Sequence, residues 1–149
     1  MVEYQWSVRV GTAKGDRATA HVRQHQFDVG APVQFDQQYD GLTALEYVLG
    51  AIGADIVNCL GMAARRHRVE IDDVEALVSG KLNNPLTHLG VVGEEGHPGL
   101  ETISVRVYVS SVEPENRVRQ MWAEAQERSP LVCTFRSAIN LQLELQVII

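Results

Sequence analysis

The chain has little cysteine, little aromatic surface and a shortage of positive charge. Of its 149 residues two are cysteine and 6% are aromatic, and 13 lysines and arginines stand against 19 acids, a formal net charge of −6. Two cysteines cannot build a disulfide framework, and neither CxxC nor Cys/His zinc spacing is present. In a reducing cytoplasm two such thiols are either inert core groups or a redox pair. The acid excess argues against nucleic acid as a partner, because general binding needs a basic face to neutralise phosphates; an anionic membrane is disfavoured for the same reason. Residues 1–10 alternate with charges among them, so no basic leader followed by an apolar run is read there. The most apolar stretch is interrupted by Asp55 and Asn58 and flanked by Glu46 and Arg65, which favours a buried helix over a membrane span. A cytoplasmic protein is expected.

What the sequence does contain is periodicity of two kinds. Tyr4 to Gly11, Ala18 to Arg23 and Gln26 to Val29 read as short strands joined by turns at Lys14-Gly15-Asp16 and Gly30-Ala31-Pro32. Leu42 to Arg68 reads as one long helix, with Thr43 as its cap and Arg65, Arg66, His67 and Arg68 at the negative end of its dipole. Val69 to Lys81 and Thr102 to Ser110 are further strands around a loop at Asn83 to Gly99. A second helix starts near Pro114 and runs through Val118, Met121, Trp122 and Ala125, Pro130 follows it, and Ile139 to Ile149 alternates as a last strand. The order β-β-β-α-β-β-α-β gives an α+β fold with antiparallel sheets, and the length suits a single domain over residues 1–149.

The chemistry concentrates in the long helix. At 100° per residue Asp55 and Cys59 share nearly one face, with Val48, Ala51 and Met62 above and below. An acid, an amide and a thiol inside an apolar helix must be satisfied by partners or must do chemistry. Asp55 reads either as a general base in a pocket or as a structural carboxylate paired with an arginine across a subunit contact, with Asn58 as a supporting hydrogen-bond partner. His88 and His97 lie with Glu94 and Glu95 in the loop but without any recognised ligand spacing, so no metal and no cofactor is assigned.

The element order and several strings resemble the OsmC/Ohr family of osmotically inducible and organic hydroperoxide resistance proteins. The family's central helix follows Pro-x-Glu-x-Leu-Leu-x-Ala-Leu-x-x-Cys and ends in an Ala-Arg-x-Arg-like run. Here Ala44, Leu45 and Glu46 lead through Leu49, Ala51 and Ile52 to Asp55, and Ala64 to Arg68 lead into Val69; Gly41 and Thr43 resemble the Gly-x-Thr-Pro entry. The family's Cys-Pro-Val-x-x-Thr-Leu string is matched by Ser129, Pro130, Leu131, Val132, Cys133, Thr134 and Phe135. The resemblance implies a homodimer, and in family members that reduce hydroperoxides one cysteine attacks the peroxide while a second resolves the product as a disulfide. In this register Asp55 and Ser129 occupy the two cysteine positions, and Cys59 and Cys133 each stand four residues later. The family arginine that holds the thiolate has two candidates, Arg17 and Arg23, and Glu46 is a further supporting residue.

Two functions follow. One is thiol-dependent reduction of organic hydroperoxides through a displaced Cys59/Cys133 pair. The other is a non-peroxidatic dimer that binds a small apolar ligand. A peroxide-attacking thiol must ionise, and the charge of Asp55 one turn from Cys59 opposes ionisation.

Overall fold

The computed structural model describes residues 3–15, 17–31 and 40–148. They form two compact units, Met1–Tyr47 and Val48–Ile149.

The first unit is an antiparallel meander of β1 (Arg9–Thr12), β2 (Arg17–Val22) and β3 (His25–Gly30), in register from Arg9 opposite His21 and Ala18 opposite Val29. The predicted first strand therefore starts later than Tyr4. Across β2 and β3 the Thr19 hydroxyl donates to Asp28 at 2.7 Å. Arg23 makes the β2–β3 turn in the left-handed region, at φ +53°. Of the two turns expected in this region, Asp16 of the first and Pro32 of the second lie outside the described residues. The unit ends with the first turn of α1 (Ala44–His67), where Thr43 and Glu46 form a capping box. The Thr43 amide and hydroxyl donate to Glu46 Oε1 at 3.1 and 2.8 Å, and the Glu46 amide donates back to the hydroxyl at 3.4 Å.

The second unit sets α1 against a sheet of β4 (Asp73–Leu82), β5 (Leu100–Ser110) and β6 (Asn140–Ile148), with β5 central. β4 pairs antiparallel with β5, whereas β5 pairs parallel with β6, so the expectation of purely antiparallel sheets holds for one side only. Parallel neighbours need a crossover. It is supplied by α3 (Glu115–Arg128) and α4 (Pro130–Ala138); the latter is an added element, absent from the sequence reading, which passes from Pro130 to the last strand. A four-residue helix, α2 (Pro85–His88), likewise interrupts the long loop after β4, capped by Asn84.

One core joins these layers. Ile52, Ile56 and Leu60 of α1 pack with Ile103, Val105, Val107 and Val109 of β5 and with Val118, Met121 and Trp122 of α3. The alternation in β5 puts one face into that core. α1 packs tightly on β4 at Gly53, where an added Cβ would stand 2.8 Å from a Val78 methyl. By length and composition α1 would suit a membrane span. Its buried face instead belongs to this protein core. The helix stops in a Schellman motif: Arg68 at φ +54°, Val69 N–H to Ala64 C=O at 2.9 Å and Arg68 N–H to Arg65 C=O at 3.4 Å.

Candidate functional site

Ser129 closes α3 and opens α4. Pro130 disfavours a helical conformation in the residue before it and suits the first position of the next helix. Ser129 accordingly sits extended at φ −76°, ψ 116°, donates its amide to Ala125 C=O at 3.0 Å, and accepts at its hydroxyl from the Val132 amide at 3.2 Å. The hydroxyl proton goes to Asp55 Oδ2, and the Leu131 amide donates to the same oxygen at 3.1 Å. The two positions that the sequence register assigns to the family's cysteines thus meet as a hydrogen-bonded acid and alcohol. Ser129 is fully buried and Asp55 half-buried.

The arginine that the sequence reading pairs with Asp55 belongs to a second subunit, outside the single chain. Within the chain its partners are a hydroxyl and a backbone amide, and among the described residues no arginine lies within 4 Å of its carboxylate. Asn58, one turn away on the same side of the helix, is exposed, and among the described residues it makes no side-chain hydrogen bond to Asp55.

One turn beyond Asp55, Cys59 is buried and Cys133 of α4 is exposed; both are free thiols. Burial raises the Cys59 pKa, the Asp55 carboxylate raises it further, Arg66 opposes the rise, and Cys133 is near enough to add to it. Cys133 donates its S–H to the backbone carbonyls of Glu127 at 3.4 Å and Gln126 at 3.7 Å, at the end of α3. The sequence argument had the direction of the Asp55 effect; it omitted burial, which is larger.

Beside Cys59 a cavity of about 330 Å³ opens, lined by Cys59, Met62, Arg66 and Arg128. Glu124 organises its rim. Arg66 donates to Glu124 Oε1 from Nη2 at 2.6 Å and from Nε at 3.1 Å, and Arg128 Nε stands 3.1 Å from the same oxygen. His67 Nε2 meets the other oxygen at 2.7 Å. The hydrogen bond from Arg66, with help from His67, holds the Glu124 carboxyl below the ordinary carboxylate range. None of this cluster was singled out from sequence as a site, since Arg66 and Glu124 are 58 residues apart. The single available signal was a basic run at the end of an apolar helix, and His67, read as a simple helix cap, belongs to it.

The other predicted supporting residues lie elsewhere. Glu46 is engaged in the capping box at the start of α1, where the Thr43 amide and then its hydroxyl lower its pKa. Arg23 is a turn residue of the first unit, and Arg17 pairs at 3.9 Å with Asp28. His97 Nδ1 accepts from the Gly99 amide at 3.2 Å within its own loop.

The profile of the OsmC-like protein family matches residues 36–144, which is most of the chain. This chain belongs to the OsmC-like family. Solved structures agree on the fold. An OsmC-like protein from Mycoplasma pneumoniae superposes with a TM-score of 0.83 at 16% identity, covering 99% of this chain and 100% of that one. An organic hydroperoxide resistance protein from Elizabethkingia anophelis, with thiocyanate bound, gives 0.74 at 11% identity over 99% and 100%. OhrB of Bacillus subtilis, also an organic hydroperoxide resistance protein, gives 0.62 at 18% identity over 95% and 98%. No curated protein matches the sequence. This OsmC-like chain therefore carries the α+β fold expected of it, with Asp55 bonded to Ser129 at its centre.

Proposed function

We propose that this OsmC-like protein is a non-peroxidatic member of its family: a cytoplasmic homodimer that binds a small, largely apolar ligand in the cleft beside Cys59. The observation that carries the reading is the Ser129–Asp55 hydrogen bond. Where a peroxidatic member would hold two sulfurs, this chain has an acid whose carboxylate oxygen is occupied by a hydroxyl and the Leu131 amide. Neither group reduces a peroxide. Cys59 is a poor substitute, because a peroxide-attacking sulfur must be a thiolate and burial together with Asp55 disfavours that form.

The dimer is supported by the second face of α1. Gly50, Ala51, Ala54 and Met62 are exposed on a helix whose opposite face lies in the core, and small residues of this kind allow close approach of another backbone. Light scattering tests it: a well-folded monomer at micromolar concentration overturns the assembly.

The competing reading, reduction through Cys59 and Cys133, is favoured by the opposing effect of Arg66 on the Cys59 thiol and by the nearness of Cys133. Substoichiometric cumene hydroperoxide separates the two. A displaced redox pair would give up two hydrogens, two protons and two electrons, to the hydroperoxide, which leaves as alcohol and water, giving a disulfide species about two mass units lighter that dithiothreitol restores. The expected result is slow, independent oxidation. Rapid turnover abolished by both Cys59→Ser and Cys133→Ser would establish the enzyme instead. The double substitution Asp55→Cys with Ser129→Cys is expected to form a disulfide and gain peroxidase activity, because those two side chains already meet.

A further inference from the structure

We propose that the cleft beside Cys59 selects an amphipathic carboxylate, an anionic head on a short acyl chain; this rests on the small-molecule reading above and adds the ligand's charge. The cavity has two chemically distinct ends. Cys59 and Met62 line it with sulfur and hydrocarbon, whereas Arg66 and Arg128 line it with guanidinium groups. Its volume, about 330 Å³, is roughly twice that of an apolar cavity known to take benzene, which gives room for an acyl chain of about eight carbons.

The charges at the cationic end do not close. Glu124 Oε1 serves both guanidiniums, at 2.6 Å for Arg66 and 3.1 Å for Arg128, so two positive groups share one carboxylate. His67 occupies Oε2 of the same carboxylate at 2.7 Å, and adds positive charge whenever it is protonated. The next acid along α1, Asp55, is held by Ser129 and by the Leu131 amide at the start of α4. An excess, solvent-facing cation at the rim of a cleft attracts an anion, and the planar guanidinium fork matches a carboxylate with two parallel hydrogen bonds. Glu124 has a positioning part in this: it holds Arg66 and Arg128 side by side at the opening. The thiol below them stays protonated at neutral pH, so the floor of the cleft does not repel an anion.

Calorimetric titration of the full-length protein with octanoate, 1-octanol and octylammonium tests the proposal, with amide-shift mapping to locate each. Octanoate is expected to bind at Cys59 and Met62 at least ten-fold more tightly than octanol, with octylammonium weakest. Arg128→Gln is expected to bring octanoate down to the level of octanol while leaving octanol unchanged, and Arg128→Lys to restore part of the difference. Arg128 is largely exposed, and matched thermal melts would confirm that the variant is folded. Equal binding of octanoate and octanol in the cleft overturns the carboxylate preference and leaves an apolar site. No binding of any probe there overturns the small-molecule reading itself.

Discussion

The two units of this chain each contain a three-stranded sheet, yet they differ in what the sheet covers. In the C-terminal unit β5 places Ile103, Val105, Val107 and Val109 at zero exposure beneath α1 and α3. In the N-terminal unit Ala20 is the one buried hydrophobic among the described residues, while Tyr4 and Trp6 are 80% and 82% exposed. A sheet of three short strands with almost no buried face does not hold itself together in water. The difference teaches that the buried core of the described residues lies in the C-terminal unit, and that the N-terminal sheet is suited to be covered by another surface, the part that the homodimer proposed above assigns to a second copy.

The strongest way to break this comparison is to place a charge in each sheet. Val107→Asp is expected to prevent folding, since it combines lost packing with an unpaired buried carboxylate, a class of change that costs more than about 4 kcal/mol. Val10→Asp, on a β1 residue 61% exposed, is expected to leave the C-terminal unit folded and to lower the dimer fraction. Circular dichroism with light scattering reads both. Equal loss of structure in the two variants would mean that the N-terminal unit has a core of its own.

Next in size is the clasp inside the C-terminal unit. Asp55→Ala strands a buried serine hydroxyl and the Leu131 amide rather than a buried cation, so the expected loss is about 1–3 kcal/mol, below the 3–5 typical of a broken buried ion pair. Urea denaturation decides. A loss near the upper figure would reveal a cation from a second subunit on this carboxylate.

The two faces of α1 repeat the comparison on a smaller scale. Gly53→Ala drives a Cβ against Val78 and is expected to cost about 1–3 kcal/mol. Gly50→Ala meets nothing within 4 Å among the described residues and is expected to stabilise the monomer by about 0.5–1 kcal/mol through helix propensity. If α1 pairs with its copy through this face, the same substitution weakens the dimer. Opposite signs in a thermal melt and a dilution series would identify the contact.

The smallest effect is electrostatic. The Glu124 pKa is lowered in the folded protein, first by Arg66, so its contribution is present above the ordinary carboxylate pKa and fades as pH falls through the folded value. Glu124→Gln is therefore expected to flatten the acid limb of the stability profile and leave the profile above pH 6 parallel to that of the parent chain. A parallel acid limb would show that the Arg66 and His67 contacts are screened by solvent.

Much of this was legible in the chain itself because it rests on local pattern. The period of α1, the alternation of β5 and the Asp55 and Ser129 register all depend on neighbours in sequence. The sequence reading passes from Pro130 straight to the last strand and so omits α4; the Ser129-Pro130 pair, a cap followed by a first-turn proline, is the local signal for it. The Glu124 cluster and the parallel pairing of β6 were not legible. Both depend on how the crossover brings distant segments together, and nothing in the local spacing of Arg66 or Glu124 encodes it. Asn58 lies three residues and about 60° around the helix from Asp55, a neighbouring position, but its side chain is exposed and the carboxylate oxygen is taken by Ser129 and the Leu131 amide.

That parallel pairing also imposes an order in time. β6 is synthesised only after α3 and α4, so a nascent chain that has already joined β4 to β5 still presents the other edge of β5 unpaired. Until β6 arrives, β5, which carries the most buried residues of the C-terminal sheet among the described residues, is an open template for any extended segment nearby. Non-local pairings of this kind form slowly, because the loop must close before the contacts can contribute. The vulnerable state of this protein is therefore its youngest one, and the docking of β6 is the event that ends its exposure to chaperones and aggregation.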